Sequence, residues 1–148
     1  MDGSFVCYNR AGLESILPHR GAALNKIDGV FYGSRGSVII TGLKEVKDDD
    51  PELRGHFPGA PTYPGYAQDE FVCLAAAALL SLAYSGLKQD PHVVQKSVRY
   101  RKNVVPGDRL IAEVRLRDSR SRFHVFSAEI RNQRDELVAE YDKIVGAV

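Results

Sequence analysis

The chain has only two cysteines, Cys7 and Cys73. Two cannot build a disulfide framework, and Cys73 lies inside an apolar stretch. The favoured reading is a buried free thiol in a reducing compartment. Long hydrophobic runs are also missing. The longest, Phe71 to Leu80, is ten residues, where a bilayer span needs ~20. The start, Met1-Asp2-Gly3-Ser4, is not a basic segment followed by an apolar one, so no signal peptide is expected. These absences predict a cytoplasmic protein with no membrane span. No sign of charge dominates: 20 Lys and Arg stand against 19 Asp and Glu, a net charge of +1. That balance argues neither for a nucleic-acid partner nor for an acidic tail. The four histidines, His19, His56, His92 and His124, show no metal-ligand spacing, and no metal or organic cofactor is expected. No internal repeat and no linker is visible.

What remains is the composition of an ordinary domain. At 148 residues, 44% apolar and 26% charged, the chain fits a single domain over 1–148. A domain of this length buries roughly 70% of its unfolded surface. Charge is uneven, though. From Lys96 to Arg131 ten Lys or Arg face four acids. Arg99, Arg101, Lys102, Arg120 and Arg122 either form a positive docking face or lie on solvated strand faces, and both readings stay open.

Hydrophobic periodicity divides the chain. Gly12 to Leu17 reads as a helical turn stopped by Pro18. Ala23 to Phe31 reads as a strand broken at Gly29, Gly33 to Gly36 as a turn, and Ser37 to Val46 as a second strand. Lys47 to Pro51 is a charged loop without a core residue. Tyr66 to Tyr84 has almost no polar stripe after Glu70 and includes four consecutive alanines, Ala75 to Ala78. It predicts a buried helix stopped at Ser85-Gly86. Beyond Pro91 the period becomes two. Val94 to Tyr100 and Leu110 to Arg117 read as strands, Asp118 to Arg122 as a turn, and Phe126 to Ile130 as a strand. Asn132 to Glu136 turns again, and Leu137 to Val145 closes the sheet. The expected fold class is α+β, a curved antiparallel sheet wrapped around one long central helix.

The helix is entered through Arg54 to Gly65, a loop with three prolines and three glycines. Phe57 and Tyr63 are interleaved with the prolines, which favours a rigid loop over a disordered one. Gly65 has no side chain, so a backbone or a ligand can approach it. The loop carries His56, and the first helical turns carry Asp69 and Glu70. A lone loop histidine is usually surface. A carboxylate in a buried helix is costly unless it is paired or used, although either acid also complements a helix N-terminus. Adjacent helical residues point about 100° apart, so only one of the two acids faces a given pocket.

His56-Phe57-Pro58-Gly59, then Pro61, Pro64-Gly65 and Glu70 resemble the signature of the FabZ-type 3-hydroxyacyl-acyl-carrier-protein dehydratases, which have the hot-dog fold. Ile16-Leu17-Pro18-His19-Arg20, and Val98-Arg99-Tyr100-Arg101-Lys102 with Val104-Val105-Pro106-Gly107-Asp108, resemble two further segments of that family. The resemblance runs from about residue 16 to the C-terminus. It implies that His56 removes the C2 proton of a 3-hydroxyacyl thioester and that Glu70 releases the C3 hydroxyl as water. The backbone N–H groups of Gly65 and Tyr66 would receive the thioester carbonyl, and Phe57, Pro58, Tyr63 and Leu74 would line the pocket. It further implies an acyl carrier protein bearing a phosphopantetheine-linked substrate as partner. A homodimer would share its sites across the interface, with a hexamer as the larger alternative.

The chain departs from the family pattern in four places. Leu74 replaces a glutamine one turn after the glutamate, the aromatic-rich segment after Arg20 becomes Gly21 to Lys26 with one extra residue, Asp69 replaces an apolar residue, and Tyr66 replaces a valine. These changes point to a pathway-specific lipid or polyketide route. Two alternatives stand beside dehydration. One is a hot-dog acyl thioesterase that uses the helix carboxylate to activate water. The other is a non-catalytic acyl-binding partner subunit. A catalytic Cys73 is remote, because no basic neighbour is visible to lower its pKa.

Overall fold

The computed structural model describes residues 6–33, 37–84 and 91–148. Three residues of the expected turn at Gly33 to Gly36, the helix stop at Ser85-Gly86 and the first five residues lie outside them. Strand β1 (Val6–Asn9) leads into α1 (Arg10–Leu13) and a 3-10 helix over Gly21–Lys26. Strands β2 (Gly29–Tyr32) and β3 (Ile39–Glu45) follow, then a 3-10 turn at Pro51–Leu53 and the long helix α2 (Gly65–Ala83). The chain ends in β4 (His92–Tyr100), β5 (Arg109–Arg120), β6 (Phe123–Arg131) and β7 (Leu137–Ala147). The seven strands form one sheet in the order β1-β2-β3-β5-β6-β7-β4, every neighbouring pair antiparallel.

The sheet curls around α2, which is the hot-dog arrangement. The period of two sets one face of the sheet on the helix. Leu110, Ala112 and Val114 of β5 and Phe126, Ala128 and Ile130 of β6 are all buried. Register shifts at Leu116/Asp118, Phe126/Ala128 and Ser97/Val98 bend the strands. Helix α2 is buried almost all round, with Phe71, Ala75, Ala78 and Leu79 at 0% exposure. By length and composition it would suit a membrane span, but 67% of its most apolar window is inside the domain. A helix that sits within a curled sheet has little polar face to show. Small residues bring it close. A Cβ at Gly42 of β3 would stand 3.2 Å from both the Ala75 Cβ and the Phe71 ring.

The structure corrects several boundaries. Residues 23–26 are 3-10 helix, not strand, because Leu24 and Ile27, three residues apart, both point into the core. Strand β5 continues through Asp118 to Arg120, so the turn shrinks to Ser121-Arg122, with Ser121 at φ 57°. Strand β7 does not close the sheet. It lies between β6 and β4, and β4 is the edge. Strand β1 was not foreseen. The charged loop at 47–51 does serve the interior, since the Asp50 carboxylate pairs with the buried Lys44 ammonium at 3.3 Å.

Candidate active site

The loop that presents His56 is pinned by its own backbone. The His56 N–H donates to the Leu53 carbonyl (3.1 Å), the Thr62 N–H to the His56 carbonyl (2.6 Å), and the Tyr63 N–H to the Val104 carbonyl (2.8 Å). Tyr63, at 1% exposure, anchors the end of the loop in the core. The His56–Phe57 peptide is cis, and the two rings stack at 4.4 Å. His56 Nδ1 lies 2.9 Å from the Thr62 carbonyl oxygen. A carbonyl only accepts, so Nδ1 carries the proton and Nε2 keeps its lone pair. The loop therefore holds His56 in the tautomer of a base.

Pro64 precedes α2 and no side chain caps the helix. The N–H groups of Ala67 and Gln68 both reach the Pro64 carbonyl, at 3.1 and 3.2 Å. Those of Gly65 and Tyr66 have no such bond among the described residues, as the first turn of a helix dictates. Gly65 is closely approached by a side chain: a Cβ there would stand 2.7 Å from the Tyr100 ring. Tyr66 is 62% exposed.

The two helix acids part company. Asp69 is buried and fully engaged. Its Oδ1 accepts from the Tyr100 hydroxyl (2.6 Å) and the Tyr141 hydroxyl (2.7 Å), and its Oδ2 from the Lys96 ammonium (2.5 Å). Burial, together with this carboxylate, pushes both phenols well above their ordinary pKa. Glu70 forms no side-chain hydrogen bond or ion pair among the described residues. It faces a cavity of about 250 Å³ whose polar lining is His19, Cys73 and His92 and whose walls include Ala77, Leu80 and Phe126. Burial, then the Glu70 charge, pushes the Cys73 thiol up to about 12, so it stays a thiol at neutral pH and is a poor nucleophile. His56 is not among the residues lining this cavity.

The remaining expected residues are scattered. Phe57, at 59% exposure, and Pro58 are on the surface, whereas Leu74, like Tyr63, is in the core. Of the basic five, Arg99 pairs with Glu140 and Asp142, Arg101 with Glu140, Lys102 with Glu136 and Arg120 with Asp118. Arg122 lies 5.3 Å over the Phe123 ring. Sequence reasoning missed the Asp69 cluster, because nothing in the spacing links residues 69, 96, 100 and 141. It also missed the convergence of His19 and His92 on Glu70. The only available signal there was the place of His19 in the Leu17 to Arg20 segment.

Comparison with known proteins places this geometry in a family. The FabA-like domain matches residues 17–141. The chain belongs to the FabA-like family. Two relatives in that range are named 3-hydroxyacyl-acyl-carrier-protein dehydratase FabZ. That of Thermotoga petrophila is 38% identical over 103 residues, covering 70% of this chain and 72% of the relative. That of Vibrio cholerae is 33% identical over 122 residues, covering 80% and 78%. Among solved structures, the dehydratase heterocomplex ApeI:P of Xenorhabdus doucetiae superposes with a TM-score of 0.75 at 16% identity, over 91% of this chain and 89% of its own. The PaaI protein of E. coli gives 0.62 at 19% identity, covering 78% and 79%. A hypothetical thioesterase protein of Streptococcus pneumoniae with coenzyme A gives 0.61 at 15%, covering 78% and 81%. At these identities the structural likenesses establish the FabA-like chain's fold alone.

Proposed function

We infer that this chain acts on an acyl thioester and dehydrates a 3-hydroxyacyl group carried on the phosphopantetheine of an acyl carrier protein. The observation that carries this reading is the bond from His56 Nδ1 to the Thr62 carbonyl (2.9 Å), which leaves Nε2 free to take a proton. The relatives named as dehydratases support it. In the reaction, Nε2 removes the C2 proton. The released electron pair forms the C2–C3 double bond, the C3–O bond breaks, and the Glu70 carboxyl protonates the departing oxygen. A trans-2-enoyl thioester and water result. Negative charge that gathers on the thioester oxygen meets the N–H groups of Gly65 and Tyr66 at the start of α2.

Among the described residues His56 is not part of the lining of the Glu70 cavity, so this chemistry takes a homodimer, with His56 of one protomer opposite Glu70 of its partner. Edge strand β4, exposed along almost its whole length, is a natural pairing surface. A hexamer would repeat that dimer. Carrier-protein docking falls mainly to Arg122, since Arg99, Arg101, Lys102 and Arg120 are engaged by acids of their own chain.

A second reading is thioester hydrolysis, with Glu70 activating water. Its support is that the Glu70 cavity is formed inside one chain without His56. One experiment separates the two. The chain is incubated with a 3-hydroxyacyl-pantetheine thioester, and enoyl product and free thiol are both measured. Enoyl formation without thiol release supports dehydration, with a loss of about 10²–10⁴-fold in His56→Ala. Thiol release without enoyl product selects the thioesterase. Neither product, at full substrate binding, selects a non-catalytic acyl-binding subunit.

A further inference from the structure

Proton transfer between His56, substrate and Glu70 leaves the buried Asp69 without a task, although its bonds lead to the start of α2. The Tyr100 ring lies against Gly65. A Cβ at Gly65 would stand 2.7 Å from that ring and 2.9 Å from its hydroxyl, and the three atoms nearest to it all belong to Tyr100. The same hydroxyl donates to Asp69 Oδ1 (2.6 Å), one turn further along the helix. Asp69 is tied in turn to the Tyr141 hydroxyl on β7 (2.7 Å) and to the Lys96 ammonium on β4 (2.5 Å). Oδ1 thus accepts from two phenols, of which Tyr100 is the one against Gly65.

This tie sits where the helix is least secured by its own bonds. No side chain caps α2, and the N–H groups of Ala67 and Gln68 share the Pro64 carbonyl. Helix ends fray, and glycine is the most mobile residue to place at one. In the proposed reaction the N–H groups of Gly65 and Tyr66 meet the charge on the thioester oxygen. Donors stabilise such charge well only when they are fixed beforehand. The Tyr100 ring supplies a packing restraint on Gly65. It is itself exposed on an edge strand, so without Asp69 it would be free to turn to water.

We propose that Tyr100, locked by Asp69, is a positioning residue that fixes the Gly65 and Tyr66 N–H groups for the thioester oxygen. The proposal rests on the dehydratase reading and names a residue which that chemistry needs. Tyr100 transfers no proton and acts through Gly65. Its hydroxyl is spent on Asp69, and what it contributes is the place of its ring.

Two variants that each delete one hydroxyl from the same Asp69 oxygen separate positioning from stability. The whole chain is assayed for enoyl formation with 3-hydroxyoctanoyl-pantetheine thioester. Tyr100→Phe keeps the ring and frees it from Asp69. Its kcat falls about tenfold, short of the ~10²–10³ lost with a whole donor, while KM stays within about twofold. Tyr141→Phe keeps kcat within about twofold, although its denaturant midpoint falls at least as far, because Tyr141 lies in the core. A readout without turnover runs beside these. The Gly65 amide resonance moves or broadens in Tyr100→Phe and keeps its place in Tyr141→Phe. Equal kcat losses in the two variants, no loss in Tyr100→Phe, a loss confined to KM, or an unmoved Gly65 amide overturns the role given to Tyr100. An unaltered chain that forms no enoyl product overturns the dehydratase reading instead, and the amide comparison then still decides whether Tyr100 holds Gly65.

Discussion

Asp69 and Glu70 are neighbours in the chain and opposites in environment. Asp69 gathers two phenols and an ammonium, and each of those bonds is to a charged acceptor, the stronger kind. Asp69→Ala orphans the buried Tyr141 hydroxyl, while Lys96, 41% exposed, can turn to water. The expected loss is about 3 kcal/mol, at the low end for a broken buried pair, read as a lower denaturant midpoint at unchanged slope. A loss below about 0.5 kcal/mol would mean that water replaces the carboxylate. The tyrosines also set an alkaline limit. Burial raises the pKa of Tyr63, Tyr100 and Tyr141 above the ordinary 10.0. A raised folded pKa means that stability is complete below the unfolded value and falls as pH climbs past it, because the unfolded chain loses its protons first. Melting temperature should hold up to about pH 9 and drop steeply above pH 10, less steeply in Tyr141→Phe. A flat profile to pH 12 would contradict this.

At the scale of elements, the start of α2 is where loop, helix and edge strand meet. Tyr100 of β4 lies over Gly65 and reaches back to Asp69 one turn further on. Gly65→Ala drives a methyl into that ring and breaks the Tyr100–Asp69 bond, for an expected loss of about 1–3 kcal/mol. Adding Tyr100→Ala recovers the steric part, so the double variant is more stable than the sum of the single effects predicts. Simple additivity in a double-mutant cycle would show that the two positions do not touch. Elements of this kind were largely legible in the sequence. Alternation gave β5 and β6, and the alanine run with its proline entry gave α2 nearly to the residue. What was not legible depended on distant partners. Leu24 and Ile27 make a 3-10 turn because α2 offers them a core, and β7 became an inner strand because β4 lies outside it. The same holds for the site. His56 and Glu70 stood out through their likeness to a family signature on one loop and one helix, whereas the bonds of Asp69 cross 27, 31 and 72 residues of chain. No local pattern records them.

At the scale of the whole molecule, the two edges of the sheet are unequal. Strand β1 is four residues long, whereas β4 is nine and exposes Val93, Val94 and Tyr100 at 46%, 54% and 49%. An edge of that length with apolar side chains rarely stays unpaired in solution. In the proposed homodimer, partnering through it would tie catalysis to assembly, and activity per chain should fall when the protein is diluted below the concentration at which copies associate. A second consequence follows from the proposed sharing of sites between protomers, since His56 is absent from the lining of the Glu70 cavity. Two dead alleles can then rescue each other. In a mixture of His56→Ala and Glu70→Ala chains, each mixed dimer regenerates one site with both groups intact and one with neither. Random reassortment of equal amounts restores about a quarter of the parental activity. Sites confined to single chains would show no complementation at any mixing ratio.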